Sequence, residues 1–166
     1  EDLQPNRLEA AKAVAAEFIQ GRRDDRIGLV VFAAEAFTQV PLTLDYSVIT
    51  DLLGQMESGM IEDGTAVGMG LATAVKRLQA SDAESRVVVL LTDGRNNTGE
   101  IGPVTAGQMA QALGVRVYTI GAGGRGMARV PVGGGRYASV EVDIDEASLR
   151  EVAETTDIKA IACFTH

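Results

Sequence analysis

The sequence contains one cysteine, one histidine and no tryptophan among its 166 residues. Cys163 has no second cysteine with which to form an internal disulfide, and the histidine, His166, is the last residue. Zinc sites and Cys–His catalytic pairs need several such residues at characteristic spacings. This composition therefore excludes a disulfide scaffold, a zinc site and a Cys–His pair built from this chain alone.

Long apolar runs and basic clusters are missing as well. No stretch reaches the roughly 18 apolar residues that cross a bilayer, and no signal peptide is recognisable, so we expect a soluble chain without a membrane span. The net charge is −8, and acidic residues interrupt the densest basic group, at 22–26. Because nucleic-acid binding requires a basic surface, we expect no nucleic-acid partner.

What is present is typical of one globular domain with alternating strands and helices. Hydrophobic residues make up 46% of the chain and charged residues 23%, an ordinary balance for a folded domain. Apolar runs predict strands buried on both faces, and an alternating segment containing Pro41 predicts an edge strand. Strands are predicted over 26–34, 36–43, 86–92, 115–123 and 158–164, and helices over 4–21, 46–56, 65–79, 105–114 and 145–156.

This order of elements predicts a doubly wound α/β fold, with a mostly parallel sheet and helices on both faces. Two alternating runs flanking three glycines add a small hairpin near 127–142. Asn6 and Asp145 are predicted to cap the first and last helices, and Gly114 is predicted to end the fourth. Asn96 to Thr98 match a glycosylation sequon, which is meaningful only in a secreted eukaryotic protein.

Asp93 directly follows the most apolar strand, in the stretch "VVVLLTDG". In open parallel sheets, ligands bind beyond the carboxyl ends of the strands, so this carboxylate lies at a functional location. An alternative is ordinary turn chemistry, in which Asp93 caps the loop and Gly94 adopts positive φ. The local sequence leaves both interpretations open.

Thr65, in "EDGTAVG" at 62–68, opens the third predicted helix. One interpretation makes Thr65 the N-cap of that helix. The other makes its hydroxyl a ligand of a hard cation, complemented by a carboxylate from a neighbouring strand end. Oxygen ligands of this kind select Mg²⁺, Mn²⁺ or Ca²⁺.

The segment Gly121–Gly126, "GAGGRG", matches the dinucleotide-binding pattern G-x-G-x-x-G. That pattern binds phosphate only where a helix begins at its end. A nucleotide- or phosphate-binding enzyme using this segment is therefore an alternative function, which requires a helix starting at Gly126. The alternating residues that follow favour a hairpin there instead.

Four segments resemble, in order, a bacterial von Willebrand factor A (VWA) domain over roughly residues 2 to 157. The resemblance extends to the Bat (aerotolerance) proteins, whose genes accompany MoxR-type ATPases. Its most specific phrases are "TDGRNNTGEI" and "ALGVRVYTIGAG". The four segments are "RIGLVVFAAEAFTQVPLT", "DGTAVGMGLATAVKRL", "VVVLLTDGRNNTGEIGPVTAGQMAQALGVRVYTIGAG" and "VEVDIDEASLREVAETT".

The resemblance implies a Rossmann-like fold carrying a metal-ion-dependent adhesion site (MIDAS). That site takes an Asp-x-Ser-x-Ser motif after the first strand, a threonine from a second loop and an aspartate from a third. Thr65 matches the threonine and Asp93 the aspartate. The family's ion keeps an open position for an acidic side chain of a protein partner. The resemblance therefore implies a protein-binding module and no enzyme.

The chain departs from the family at both ends. The first strand and its Asp-x-Ser-x-Ser motif are missing, so we expect a single VWA-like domain over 1–166, truncated at the N-terminus and, by its altered tail, at the C-terminus. Thr65 and Asp93 alone should bind Mg²⁺, Mn²⁺ or Ca²⁺ weakly, because affinity depends on ligand number and charge. We expect the chain to pair strands across the gap, to self-associate or to be a fragment.

By analogy with the family, the domain is expected at the bacterial inner membrane, facing the periplasm and tethered through segments outside this chain. A metal-free VWA domain that packs structurally against its partners is the remaining alternative. A large separation of Thr65 from Asp93, or no response to ions, would favour it.

Overall fold

The computed structural model describes residues 7–57, 64–92, 95–122, 126–131, 137–142, 145–157 and 162–164. Within these ranges, helices and strands alternate along much of the chain, as the sequence predicts. The elements are α1 (Arg7–Gln20), β1 (Ile27–Phe32), β2 (Ala36–Thr43), α2 (Tyr46–Gly54), α3 (Val67–Gln79), β3 (Val87–Thr92), α4 (Pro103–Ala112), β4 (Arg116–Ala122), β5 (Gly126–Pro131), β6 (Tyr137–Val142), α5 (Glu146–Thr155) and β7 (Ala162–Phe164).

Among the described residues, the sheet with the most strands is parallel and three-stranded, in the order β3-β4-β7. The register of β3 on β4 runs from Val87 opposite Arg116 to Thr92 opposite Gly121. Alternate residues of β3, such as Val88 and Leu90, enter a core made with α3, α4 and α5. The prediction that β3 is buried on both faces is wrong, because its other face is only partly covered and leaves Val87 37% exposed.

β1 and β2 form a separate antiparallel pair covered by helices on both sides. Ile27 and Leu29 pack with residues of α1 and α2. On the other side, Phe32 packs against α3, where a Cβ added to Gly70 would lie 2.5 Å from the Phe32 ring. The predicted α/β fold, in which helices pack against the strands, is confirmed.

Among the described residues, no strand pairing joins the β1-β2 pair to the β3-β4-β7 sheet. Both β1 and β3 contact α3, yet within the described ranges β1 pairs only with β2, and β3 only with β4. The expectation that the chain pairs strands across the gap is therefore wrong for these residues. The physical reason is that α3 holds both strands by packing without bringing their edges into hydrogen-bonding contact.

Most predicted boundaries lie within two residues of the observed ones. Asp145 caps α5, since its Oδ1 accepts a hydrogen bond from the Ser148 N–H at 3.1 Å. Gly114 ends the turn after α4 with a φ of +65°.

Asp45 caps α2, and hydrogen bonds from the Ser47 hydroxyl and the Val48 N–H hold the pKa of its carboxyl below the ordinary value of 3.8. Asn6 lies outside the described residues.

β5 and β6 form the predicted antiparallel hairpin, with Met127 opposite Glu141. β7 pairs in parallel with β4 over Ala162–Phe164, which confirms the predicted final strand for these residues, and 158–161 lie outside the described ranges. None of the helices in the described ranges combines the length and the apolar character that crossing a bilayer would require.

Candidate binding site at the carboxyl edge of the sheets

Three loops meet where β1 and β3 end. The residues after β1 contact the start of α3 through a hydrogen bond from the Ala66 N–H to the Ala33 carbonyl oxygen, 2.7 Å long. The loop after β3 contacts the same helix start through Asn96 and Asn97. The carboxyl ends of β1 and β3 therefore lie at one edge of the fold, where α/β sheets bind their ligands.

Thr65 and Asn97 are joined by two hydrogen bonds. The Thr65 N–H donates to Asn97 Oδ1 at 2.8 Å, and the Asn97 N–H donates to the Thr65 carbonyl oxygen at 3.0 Å. The side chain of Thr65 is half-buried, whereas that of Asn97 is exposed. The backbone of Thr65 is thus fixed on both sides of its Cα by one residue of another loop.

The interpretation of Thr65 as the N-cap of α3 is wrong. The N-cap is Ala66, whose side chain has no acceptor, and the Gly68 N–H donates instead to Asn96 Oδ1 at 3.1 Å. The Asn96 amide oxygen, from the loop after β3, thus accepts the backbone N–H that the side chain of an N-cap residue ordinarily accepts. The Thr65 side chain is not needed to cap the helix.

Close approach of the backbone at α3 depends on glycine. A Cβ added to Gly68 would lie 1.9 Å from the Ile101 carbonyl oxygen, so no larger residue fits without movement of that loop. Gly99 has a φ of +94°, and an added Cβ would lie 2.8 Å from Met69 Cγ. The loop over 95–102 is thereby packed directly against the first turns of α3.

Asp93, the second predicted metal ligand, lies outside the described residues, as does Gly94. It follows Thr92, which ends β3 and is 5% exposed. Within the part of the chain that the structure describes, no three His, Cys, Asp or Glu side chains come together in an arrangement suited to a metal ion.

Asn96 and Asn97 are functional candidates that the sequence analysis did not identify. In the sequence, Asn96 belongs to a glycosylation sequon and to the phrase "TDGRNNTGEI", neither of which gives its side chain a role. Consecutive asparagines after an Asp-Gly pair carry a usable signal, because short amide side chains readily bond to backbone N–H groups at turns and helix starts. Their partners, 28 and 32 residues away, could not be inferred from that signal.

The dinucleotide-binding alternative at Gly121–Gly126 required a helix beginning at Gly126. A strand, β5, begins there and pairs with β6. Because a strand and not a helix begins at Gly126, no helix N-terminus is available there to bind a pyrophosphate. This alternative is wrong.

The family model for the von Willebrand factor type A domain matches residues 1–164. The chain belongs to this family. The VWA match agrees with the observed fold, in which helices flank a parallel sheet and the candidate loops lie at its carboxyl edge. The similarity that the sequence analysis noted is thereby confirmed for nearly the whole chain.

Two curated proteins have related sequences. An uncharacterized protein of Borreliella burgdorferi is 39% identical over 118 residues, which are 71% of this VWA chain. A UPF0353 protein of Mycolicibacterium paratuberculosis is 30% identical over 138 residues, or 75% of the chain. The chain spans only 35% and 41% of the lengths of these two relatives.

Solved structures with the same fold include Bat proteins. An aerotolerance-related membrane protein from Bacteroides fragilis is 29% identical with a TM-score of 0.85, over 99% of this chain and 83% of that one. BatB from Bacteroides thetaiotaomicron gives the same values. A mussel byssus matrix protein with a zinc-occupied MIDAS motif is 22% identical with a TM-score of 0.68, over 93% of this chain and 35% of that one, and so shares the fold alone.

Proposed function

We propose that this VWA domain is a protein-interaction module that binds its partner at the carboxyl edge of the sheets. The observation that carries the proposal is the convergence of three loops on the start of α3, through the bonds of Ala66 to Ala33 and of Thr65 to Asn97. A surface fixed by backbone hydrogen bonds is preorganised, which lowers the entropic cost of binding. No covalent bond is made or broken in this function.

We further propose that Thr65 and Asp93 hold a divalent cation here. A threonine hydroxyl and a carboxylate are hard oxygen donors, which fit Mg²⁺, Mn²⁺ or Ca²⁺. The sequence contains no Asp-x-Ser-x-Ser motif. With few ligands from this chain, we expect a weak affinity for the cation, with a Kd of about 1 mM. When bound, the ion supplies an open coordination position for an acidic side chain of the partner.

The similar protein from Bacteroides fragilis is an aerotolerance-related membrane protein. By that analogy, we propose that the domain works at the bacterial inner membrane, on the periplasmic side, tethered through segments outside this chain. Within the described ranges, β1 pairs only with β2 and β3 only with β4. This favours self-association, since strand edges readily pair with another strand.

A metal-free interaction domain is the second candidate. It is favoured by the hydrogen bonds of Asn96 and Asn97, which join the loop after β3 to the start of α3 without an ion and so preorganise this edge by themselves. In that case, the same edge binds a partner directly through the loops that meet α3.

Calorimetric titration of Mg²⁺, Mn²⁺ and Ca²⁺ into the chain tests the proposal, with Asp93→Ala as the matched variant. We expect weak saturable binding that the variant loses. Equal binding by both proteins would contradict the assignment of Asp93. Binding by neither protein would contradict the cation site and favour the metal-free module.

A further inference from the structure

Two asparagines connect the loop after β3 to the start of α3. Asn96 Oδ1 accepts the Gly68 N–H, and Asn97 Oδ1 accepts the Thr65 N–H. These bonds join residues 28 and 32 positions apart in the chain, so they fix the relative position of two separate loops. A cap supplied by α3 itself would satisfy the helix but would leave the loops free to move apart.

We propose that Asn96 and Asn97 are positioning residues, which hold Thr65 at a fixed place relative to the end of β3. The inference rests on the proposed cation site, whose second ligand, Asp93, follows β3 directly. Three residue steps separate Asp93 from Asn96, so the chain between them spans at most about 10 Å. Anchoring Asn96 and Asn97 to the start of α3 therefore ties Thr65 to the loop that follows the end of β3.

The chemistry of the amide suits this role. An asparagine oxygen accepts a backbone N–H bond without adding charge, and its short side chain keeps the two backbones close. Both asparagines use this oxygen on N–H groups of the helix start, so they act on the cation through Thr65 and are not assigned as ligands. In a site with few ligands, the preorganisation of each one contributes strongly to affinity.

Backbone packing makes the connection stiff. Gly68 lies so close to the loop that an added Cβ would be 1.9 Å from the Ile101 carbonyl oxygen. The Asn97 N–H also donates to the Thr65 carbonyl oxygen at 3.0 Å. The two side-chain bonds thus act within a closely packed contact and not across a flexible gap.

The test uses Asn96→Leu and Asn97→Leu, which keep the side-chain volume but remove the acceptor. Asn97→Asp retains an acceptor oxygen and serves as the conservative variant. Asp45→Ala is the control, because it removes the cap of α2 (Asp45 Oδ1 to the Val48 N–H, 3.3 Å) at the opposite edge of β1, where Ile27 pairs with Thr43. Thermal unfolding verifies that each variant is folded.

The first readout is amide hydrogen exchange. We expect at least tenfold faster exchange of the Thr65 amide in Asn97→Leu and of the Gly68 amide in Asn96→Leu. The Gly70 N–H donates to the Ala66 carbonyl oxygen within the helix and should be unchanged in both. Unaltered exchange at Thr65 and Gly68 would overturn the positioning role.

The second readout is the Kd for Mn²⁺ alone. We expect each Leu variant to raise it about tenfold or more, as loss of an outer-shell partner typically does, while Asn97→Asp and Asp45→Ala leave it no weaker than in the wild type. Folded Leu variants that bind like the wild type, or a control that weakens binding equally, would overturn this inference alone. A wild-type chain that takes up no Mn²⁺ would overturn the proposed cation site and this inference together.

Discussion

Thr65 and Asn97 are connected by reciprocal hydrogen bonds, from the Thr65 N–H to Asn97 Oδ1 at 2.8 Å and from the Asn97 N–H to the Thr65 carbonyl oxygen at 3.0 Å. Both bonds use the backbone of Thr65 and neither uses its side chain. The relationship therefore fixes the threonine in place without committing its hydroxyl. This separation of roles allows the hydroxyl to be changed while the loop contact is kept.

Thr65→Val tests the role of that hydroxyl. We expect cation affinity to fall while the free energy of unfolding changes by less than about 0.5 kcal/mol, since an ordinary substitution outside the core has a small effect. A threonine acting as an N-cap would instead cost about 1 kcal/mol when replaced. Calorimetric titration and denaturant unfolding measure the two quantities.

Thr65→Ser is the matched control, because it keeps the hydroxyl and loses only a methyl group. It should bind the cation like the wild type. If Thr65→Val lowered the free energy of unfolding by about 1 kcal/mol, as loss of an N-cap does, and left the cation affinity unchanged, the role of Thr65 would be structural.

Gly68→Ala tests the close contact between α3 and the loop after β3. The added Cβ would lie 1.9 Å from the Ile101 carbonyl oxygen, so the loop must move, and we expect a loss of about 2–3 kcal/mol in the free energy of unfolding. Denaturant unfolding measures the loss, and cation affinity should fall with it.

Gly54→Ala provides the comparison, since nothing lies within 4 Å of a Cβ added there. Gly54 is the last residue of α2, and alanine should be neutral or stabilising by up to about 1 kcal/mol. Equal effects of the two substitutions would mean that helix propensity, and not the loop contact, determines the cost at Gly68.

Several elements follow directly from the sequence. β2 was predicted over 36–43 and is observed as Ala36–Thr43, because its pattern and Pro41 define an edge strand locally. The hairpin of β5 and β6 was predicted for the same kind of reason. Strand alternation and turn residues are local signals, so these elements can be predicted without knowledge of the rest of the fold.

The hydrogen bonds at the candidate site could not be predicted from local sequence signals in the same way. Thr65 was a reasonable N-cap by local rules, yet Asn96 provides the acceptor from a loop 28 residues away from Gly68. The split between the two sheets likewise depends on how α3 packs on β1 and β3. Both features arise from tertiary contacts, which local propensity does not contain.

Self-association should depend on the open edge of β3. The Arg116 N–H donates to the Arg86 carbonyl oxygen, so the parallel register leaves the backbone groups of Val87, Val89 and Leu91 directed away from β4. We expect Val87→Lys to shift sedimentation toward the monomer, because a charged side chain on an edge strand opposes pairing.

Tyr118→Lys is a matched control, since Tyr118 is 39% exposed against 37% for Val87 and lies on the same face of the sheet, on β4. Dissociation by both substitutions would indicate association through the sheet face. Dissociation by neither would contradict association through the edge of β3.

The location of the cation can be measured directly by paramagnetic broadening of backbone amide resonances with Mn²⁺. We expect broadening at 64–68 and 95–99, and none at Arg86 and Gly114, which precede β3 and β4 at the opposite edge, on the order of 20 Å away. The broadening should disappear in Asp93→Ala. Broadening confined to other surfaces, or its persistence in that variant, would contradict a cation site formed by Thr65 and Asp93.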